Sequence, residues 1–222
     1  MKLTKRLEAV ASLVDQDSTC LDVGCDHAYL SIHLIEAKKA LSVIASDNKE
    51  GPLDQARKNI EQKKLQDKIK ISLGYGMDTI EDDIDTVIIA GMGGKTINGI
   101  LKKDSTVTKR VDTFIIQPNN DQKEVRKTMM KLGFYLTEEK LVKEKKYFYQ
   151  VMKFQRGKIR YSKKELFFGP KLLQNKDKNF VEYYKKEITS RKILMQLLPS
   201  NFRWKKFQVK KEIAMIEKEL NI

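Results

Sequence analysis

From residue 19 to residue 154, short apolar runs alternate with stretches in which apolar residues recur every three or four positions. TCLDV, LSVIAS, KIKIS, TVIIA and TFIIQ are rich in Val, Ile and Leu, and helix-type stretches follow at 29–37, 51–64, 95–103 and 121–132. Strand runs spaced by helices predict a parallel sheet covered on both faces. After Gly133 the rhythm changes, because FYLTEEKLV and YFYQVMKF are separated by only a few charged residues. They predict an antiparallel hairpin that closes the sheet edge and brings the strands to seven. At the other end, Leu3, Leu7, Val10 and Leu13 share one face of an N-terminal amphipathic helix, which lacks the apolar block of a signal peptide.

Beyond Gln155 the pattern is helical. Phe180, Tyr184, Ile188, Arg191, Leu194 and Leu198 recur at spacings of three and four, and Val209, Ile213, Ile216 and Leu220 resume that rhythm after Pro199. Two antiparallel helices with facing apolar seams follow, preceded by a short helix in KKELFFGPKLL broken at Gly169-Pro170. The expected division is residues 1–155 as an α/β domain and 156–222 as a helical domain.

Charge sharpens that division. The 222 residues carry a net charge of +14. Residues 156–222 hold 18 Lys/Arg against 7 Asp/Glu, whereas the preceding residues hold 26 against 23. A basic excess confined to one segment predicts a polyanion held there, nucleic acid before an acidic membrane surface. No apolar run reaches the roughly 18 residues of a membrane span. The two cysteines, Cys20 and Cys25, have no Cys/His ligand spacing around them, so a reducing cytoplasm is expected and a structural metal is not.

The chemistry is expected at the carboxyl ends of the strands, where open α/β sheets bind ligands. Asp22-Val23-Gly24-Cys25-Asp26-His27-Ala28-Tyr29 is a strand entering a small-residue turn and then a helix. Gly24 lets a ligand approach the backbone, and Asp47-Asn48, ending the second strand, stands where a carboxylate accepts from ribose hydroxyls. A dinucleotide site needs three glycines and a turn that welcomes pyrophosphate, but this turn has one glycine and the acidic Asp26. A carboxylate suits the sulfonium and ammonium of S-adenosylmethionine, and it also suits the simpler job of capping the next helix. Gly76-Met77 after the third strand reads either as a segment near an adenine ring, with Asp78 near a base edge, or as an ordinary glycine turn with Met77 in the core. Ala90-Gly91-Met92-Gly93-Gly94 after the fourth strips side chains from the place where donor methyl and flat acceptor meet. Asn119-Asn120 after the fifth offers amides that read a base edge or simply form a turn. Candidate residues at the reacting groups are therefore Asp26, Tyr29, Met92 and Asn119. Candidate cofactor contacts are Asp22, Gly24, Asp26, His27, Asp47, Asn48, Gly76, Met77, Ala90 and Gly91. His27 lacks an evident proton-relay partner, and Trp204 and Tyr183-Tyr184 are read as core or as base-stacking groups.

With DVGCDHAYL, VIASD, GYGMD, IIAGMGG and IIQPNN in this order, followed by a basic helical tail, the chain resembles the bacterial TrmK family. That resemblance implies a class I, Rossmann-like methyltransferase with a C-terminal coiled-coil-like domain. It also implies S-adenosylmethionine as cofactor, transfer to N1 of the adenine at tRNA position 22, and action on tRNA with no obligate protein partner. Cys25 departs from the small polar residue expected at its position. Two other classes remain open at this point: a methyltransferase for a small-molecule or protein acceptor, and a non-catalytic RNA-binding protein.

Overall fold

The computed structural model describes residues 3–103, 105–108 and 110–222. Seven strands form one sheet: β1 (Ser18–Val23), β2 (Ala40–Asp47), β3 (Ile69–Leu73), β4 (Thr86–Met92), β5 (Thr113–Pro118), β6 (Phe134–Glu144) and β7 (Tyr147–Arg156). Their order is β3-β2-β1-β4-β5-β7-β6. The first five are parallel, and β7 inserts antiparallel between β5 and β6 as the expected hairpin. The helices are α1 (Lys5–Ser12), α2 (Tyr29–Glu36), α3 (Glu50–Gln62), α4 (Gly94–Lys103), α5 (Ser105–Thr108), α6 (Gln122–Lys131), α7 (Lys163–Phe168), α8 (Pro170–Gln174), α9 (Lys178–Leu197) and α10 (Arg203–Leu220). Among the described residues, no helix is long and apolar enough to cross a membrane.

The apolar runs become strands because both faces are covered: β5 is buried at every position. On one face Val10, Leu34, Leu53 and Ile60 pack with Ile88 and Ile115. On the other, Ile97, Leu101, Val125 and Met129 pack with Leu21 and Phe114. Because β1 pairs with β2 on one side and β4 on the other, the chain winds in opposite directions from this point. The crevice of a doubly wound sheet opens there, beyond the strands' carboxyl ends.

The chain forms two compact units, Met1–Gln174 and Asn175–Ile222. This division falls after Gln174, whereas composition suggested Gln155. The reason is buried: Arg126 is fully buried, and its Nε donates to Glu139 Oε1 at 2.9 Å while one terminal nitrogen donates to the Leu166 carbonyl at 3.1 Å. The Leu172 amide in turn donates to Glu139 Oε2. A buried ion pair on the sheet domain thus holds α7 and α8 in the first unit. The second unit is the α9–α10 hairpin, joined by Arg191 Nε donating to Glu212 at 2.9 Å and by Lys192 to Glu217 at 3.2 Å. Its seam is buried at Phe180, Tyr184, Ile188, Val209, Ile213 and Ile216, but Leu194 is exposed, contrary to the expected run to Leu198.

Candidate functional site

A cleft of about 420 Å³ lies at the carboxyl ends of β1, β2 and β4. Its lining includes Asp22, Gly24, Asp26, His27, Tyr29, Asp47, Asn48, Ala90, Gly91 and Met92. Segments far apart in sequence converge there because parallel strands end at one rim.

The first wall is the turn after β1. Gly24, Asp26 and Ala28 all take left-handed backbone conformations, with φ of 72°, 53° and 57°. Strain of that kind in non-glycine residues costs on the order of 1–3 kcal/mol each and persists only where surrounding contacts impose it. The amides of Gly24 and Cys25 both donate to the Ser46 carbonyl, at 2.8 and 2.9 Å, fastening the turn to β2. Helix α2 begins at Tyr29 with Ala28 as its N-cap and no side-chain cap. Asp26 therefore does not cap the helix, and its exposed carboxylate faces the cleft with His27 Nε2 3.7 Å away.

Asp22, at the end of β1, is buried. Ser31 Oγ donates to its Oδ2 at 2.7 Å. Burial, with the nearby Asp47 charge, pushes the Asp22 carboxyl up to about 6 despite that hydrogen bond. A carboxylate so desolvated gains from any cation entering the cleft. Asp47, half-buried, accepts from the Lys49 amide at 3.1 Å, which orients it at the end of β2. The His27 ring is tilted against Tyr29 at 5.5 Å between centroids, and its Nδ1 is buried without a partner among the described residues.

The opposite wall is the turn after β4. The β4–β5 register shifts between Ala90 and Met92, and Gly91 absorbs the irregularity with φ of 83°. The Met92 methyl lies where a β-carbon on Gly24 would stand, so the two walls touch. Asn119 is not in the cleft lining. Its amide nitrogen donates to the Gly91 carbonyl at 2.6 Å, its backbone amide to the Met92 carbonyl at 2.8 Å, and its oxygen accepts from Gln117 at 3.3 Å. Asn120 Oδ1 accepts from the Gly94 amide at 2.9 Å. Both side chains take part in shaping the glycine turn, the turn-forming alternative of the two that the sequence left open.

Gly76 and Met77 also stand apart from this cleft. They line a second cavity of about 370 Å³ with Ile84 and Ile100, and Asp78, which one of the two readings put at a base edge, is paired with Lys103 at 2.6 Å.

Arg6 is a site residue that sequence reasoning missed. It projects from α1 into the cleft lining and donates to Gln117 Oε1 at 2.7 Å. A β-carbon on Gly91 would stand 3.0 Å from its guanidinium, which also lies 5.7 Å from the centre of the Tyr149 ring. In the sequence it is one cation on an amphipathic helix, and its partner is 111 residues away.

Comparison with known proteins agrees with this architecture. The family model for tRNA (adenine(22)-N(1))-methyltransferase matches residues 20–218. The Bacillus subtilis (strain 168) tRNA (adenine(22)-N(1))-methyltransferase is 31% identical over 158 residues, covering 71% of this chain and 66% of that protein, just under two thirds of its length. A Streptococcus pneumoniae protein solved in complex with S-adenosyl-L-methionine aligns with a TM-score of 0.91 at 32% identity, covering 99% of this chain and 100% of that one. M. capricolum TrmK in complex with S-adenosyl-homocysteine aligns with a TM-score of 0.88 at 28% identity, covering 100% of this chain and 99% of that one. A family match across nearly the whole chain, on a sheet whose switch-point cleft carries the motifs described, means that this chain belongs to the tRNA (adenine(22)-N(1))-methyltransferase family, TrmK.

Proposed function

We propose that this chain carries out its family's reaction, transfer of a methyl group from S-adenosylmethionine to N1 of adenine 22 in tRNA, in the cleft between the Gly24 and Gly91 turns. The observation that carries this reading is the pairing of a desolvated carboxylate, Asp22, with a side-chain-free bulge at Gly91 in one cleft. The donor set fits the cofactor: carboxylates for its cationic groups, Asp47 for its ribose, and Arg6 as a cation for its carboxylate. When bound, S-adenosylmethionine supplies an electrophilic methyl on a positively charged sulfur.

The chain's own residues then have little proton chemistry to do. Adenine N1 attacks with a lone pair it already holds, so no base is needed to free it, and positioning supplies most of the rate. The positive charge that passes to the base is stabilised by the Asp26 carboxylate. Tyr29, partly exposed at the rim, offers a ring to the base. Asn119 and Gln117 hold the Gly91–Met92 backbone in place, so Asn119 acts through the turn. Adenine N1 is occupied in a base pair, hence the nucleotide must be unpaired or turned out before reaction.

The basic hairpin unit binds tRNA through its phosphates, an interaction that weakens as salt rises. This placement of the chemistry in the first unit, with a cytoplasmic site of action, completes the reading. Titration with S-adenosylhomocysteine tests the cleft: one equivalent is expected to bind to the wild-type chain and far more weakly to Asp47→Ala. Absence of binding to the wild type contradicts the assignment.

A further inference from the structure

Between Lys192 and Lys211 the chain carries six Lys/Arg and no Asp/Glu. This stretch is the turn end of the α9–α10 hairpin, where the apolar seam opens to solvent. Leu197 is 76% exposed and Trp204 70%, and Ile193, Phe202 and Phe207 are also exposed. Isolated exposed apolar residues are ordinary, but five gathered at one end of a two-helix unit mark an interaction surface.

The chemistry of the patch selects its partner. Trp204 and Phe207 are neighbours on one helical face, with ring centroids 5.8 Å apart. They are interleaved with Arg203, Lys205 and Lys206, and Lys211 Nζ lies 4.4 Å from the centre of the Phe207 ring. Two copies of this surface would bring like charges together, which disfavours self-association. Alternating rings and cations instead match single-stranded nucleic acid, in which flat bases alternate with phosphates. We propose that the hairpin tip is a stacking platform for unpaired bases of tRNA, with Trp204 and Phe207 as the rings and the surrounding cations on the backbone. This rests on the tRNA methyltransferase reading and adds to it a second, aromatic contact beyond charge.

Trp204 is the sole tryptophan of the chain, so its intrinsic fluorescence reports this contact alone. Titrating the full chain with unmodified tRNA is expected to quench that fluorescence. A Trp204→Ala/Phe207→Ala variant is expected to bind tRNA about tenfold or more weakly, raising KM for tRNA while kcat and S-adenosylhomocysteine affinity hold. Trp204→Phe should keep most of the affinity. Unquenched fluorescence with unchanged tRNA affinity overturns the proposal, as does a response to anionic phospholipid vesicles but not to tRNA, or burial of Trp204 in a dimer. If the wild-type chain methylates tRNA and the double variant does so equally well, only the platform fails. If the wild type neither binds nor methylates tRNA, the parent reading fails with it.

Discussion

The Met92 methyl occupies the space that a β-carbon on Gly24 would need, and Gly24 itself holds a φ of 72°. The turn after β1 and the turn after β4 are therefore one packed unit, and a change on one wall moves the other. Gly24→Ala is expected to cost roughly 1–2 kcal/mol for the left-handed backbone alone and to displace Met92. S-adenosylhomocysteine affinity should fall at least about tenfold, with a lower Tm. Adding Met92→Ala should recover part of the lost stability, which a double-mutant cycle of thermal unfolding measures.

Asp22 gives the cleft a pH dependence. Its carboxyl is pushed up to about 6 by burial and by Asp47, above the ordinary 3.8. A cationic ligand favours the ionised form. Affinity for S-adenosylmethionine should therefore be full above pH 6 and fall below it, approaching about tenfold per pH unit. Without ligand the sign is reversed. The stability associated with the raised pKa is present below pH 3.8 and lost as pH rises through 6, so unliganded Asp22→Asn should be at least as stable as wild type at pH 7.5. Calorimetric titrations from pH 5 to 8 check the first point and thermal unfolding without ligand the second; the Asn variant should bind weakly, without this pH dependence across the range.

Arg6 is the cation set beside Gly91 and oriented by Gln117. Arg6→Ala should weaken S-adenosylhomocysteine binding by about tenfold or more, the scale of a lost charge-assisted contact. It should leave binding of 5′-methylthioadenosine, which has no carboxylate, nearly unchanged. Equal losses for the two ligands would place Arg6 elsewhere in the mechanism.

The sheet was legible because its strands are buried on both faces and so read as apolar runs; TFIIQ becomes β5 almost residue for residue. The cleft was legible at Gly24, Asp47 and Gly91, because strand ends and glycines mark where backbone meets ligand. Pairings across long sequence separations were not. Nothing local ties Arg6 to Gln117, and nothing local reveals that Asn119 spends its amide on the Gly91 carbonyl. The Asp26 capping alternative fails for a conformational reason, since the left-handed Ala28 occupies the N-cap position. Residues 156–174 looked like tail because their composition is basic, yet Arg126, 40 residues before Leu166 is reached, helps hold this stretch in the first unit.

That latch predicts a stability effect without a binding effect. Arg126→Ala would leave Glu139 buried and uncompensated; burial already pushes its carboxyl above the usual range. The cost should be about 3–5 kcal/mol, seen as a large drop in Tm. Arg126→Met with Glu139→Leu should regain most of it, and S-adenosylhomocysteine affinity of the folded double variant should match wild type.

The most direct measurement is transfer of labelled methyl from S-adenosylmethionine to unmodified tRNA bearing adenine 22, followed by mapping of the labelled nucleoside. N1-methyladenosine at position 22 is expected, formed about tenfold or more slowly by Gly24→Ala at limiting cofactor. Label in a different nucleoside, or no transfer by a chain that binds both cofactor and tRNA, would contradict the proposed function.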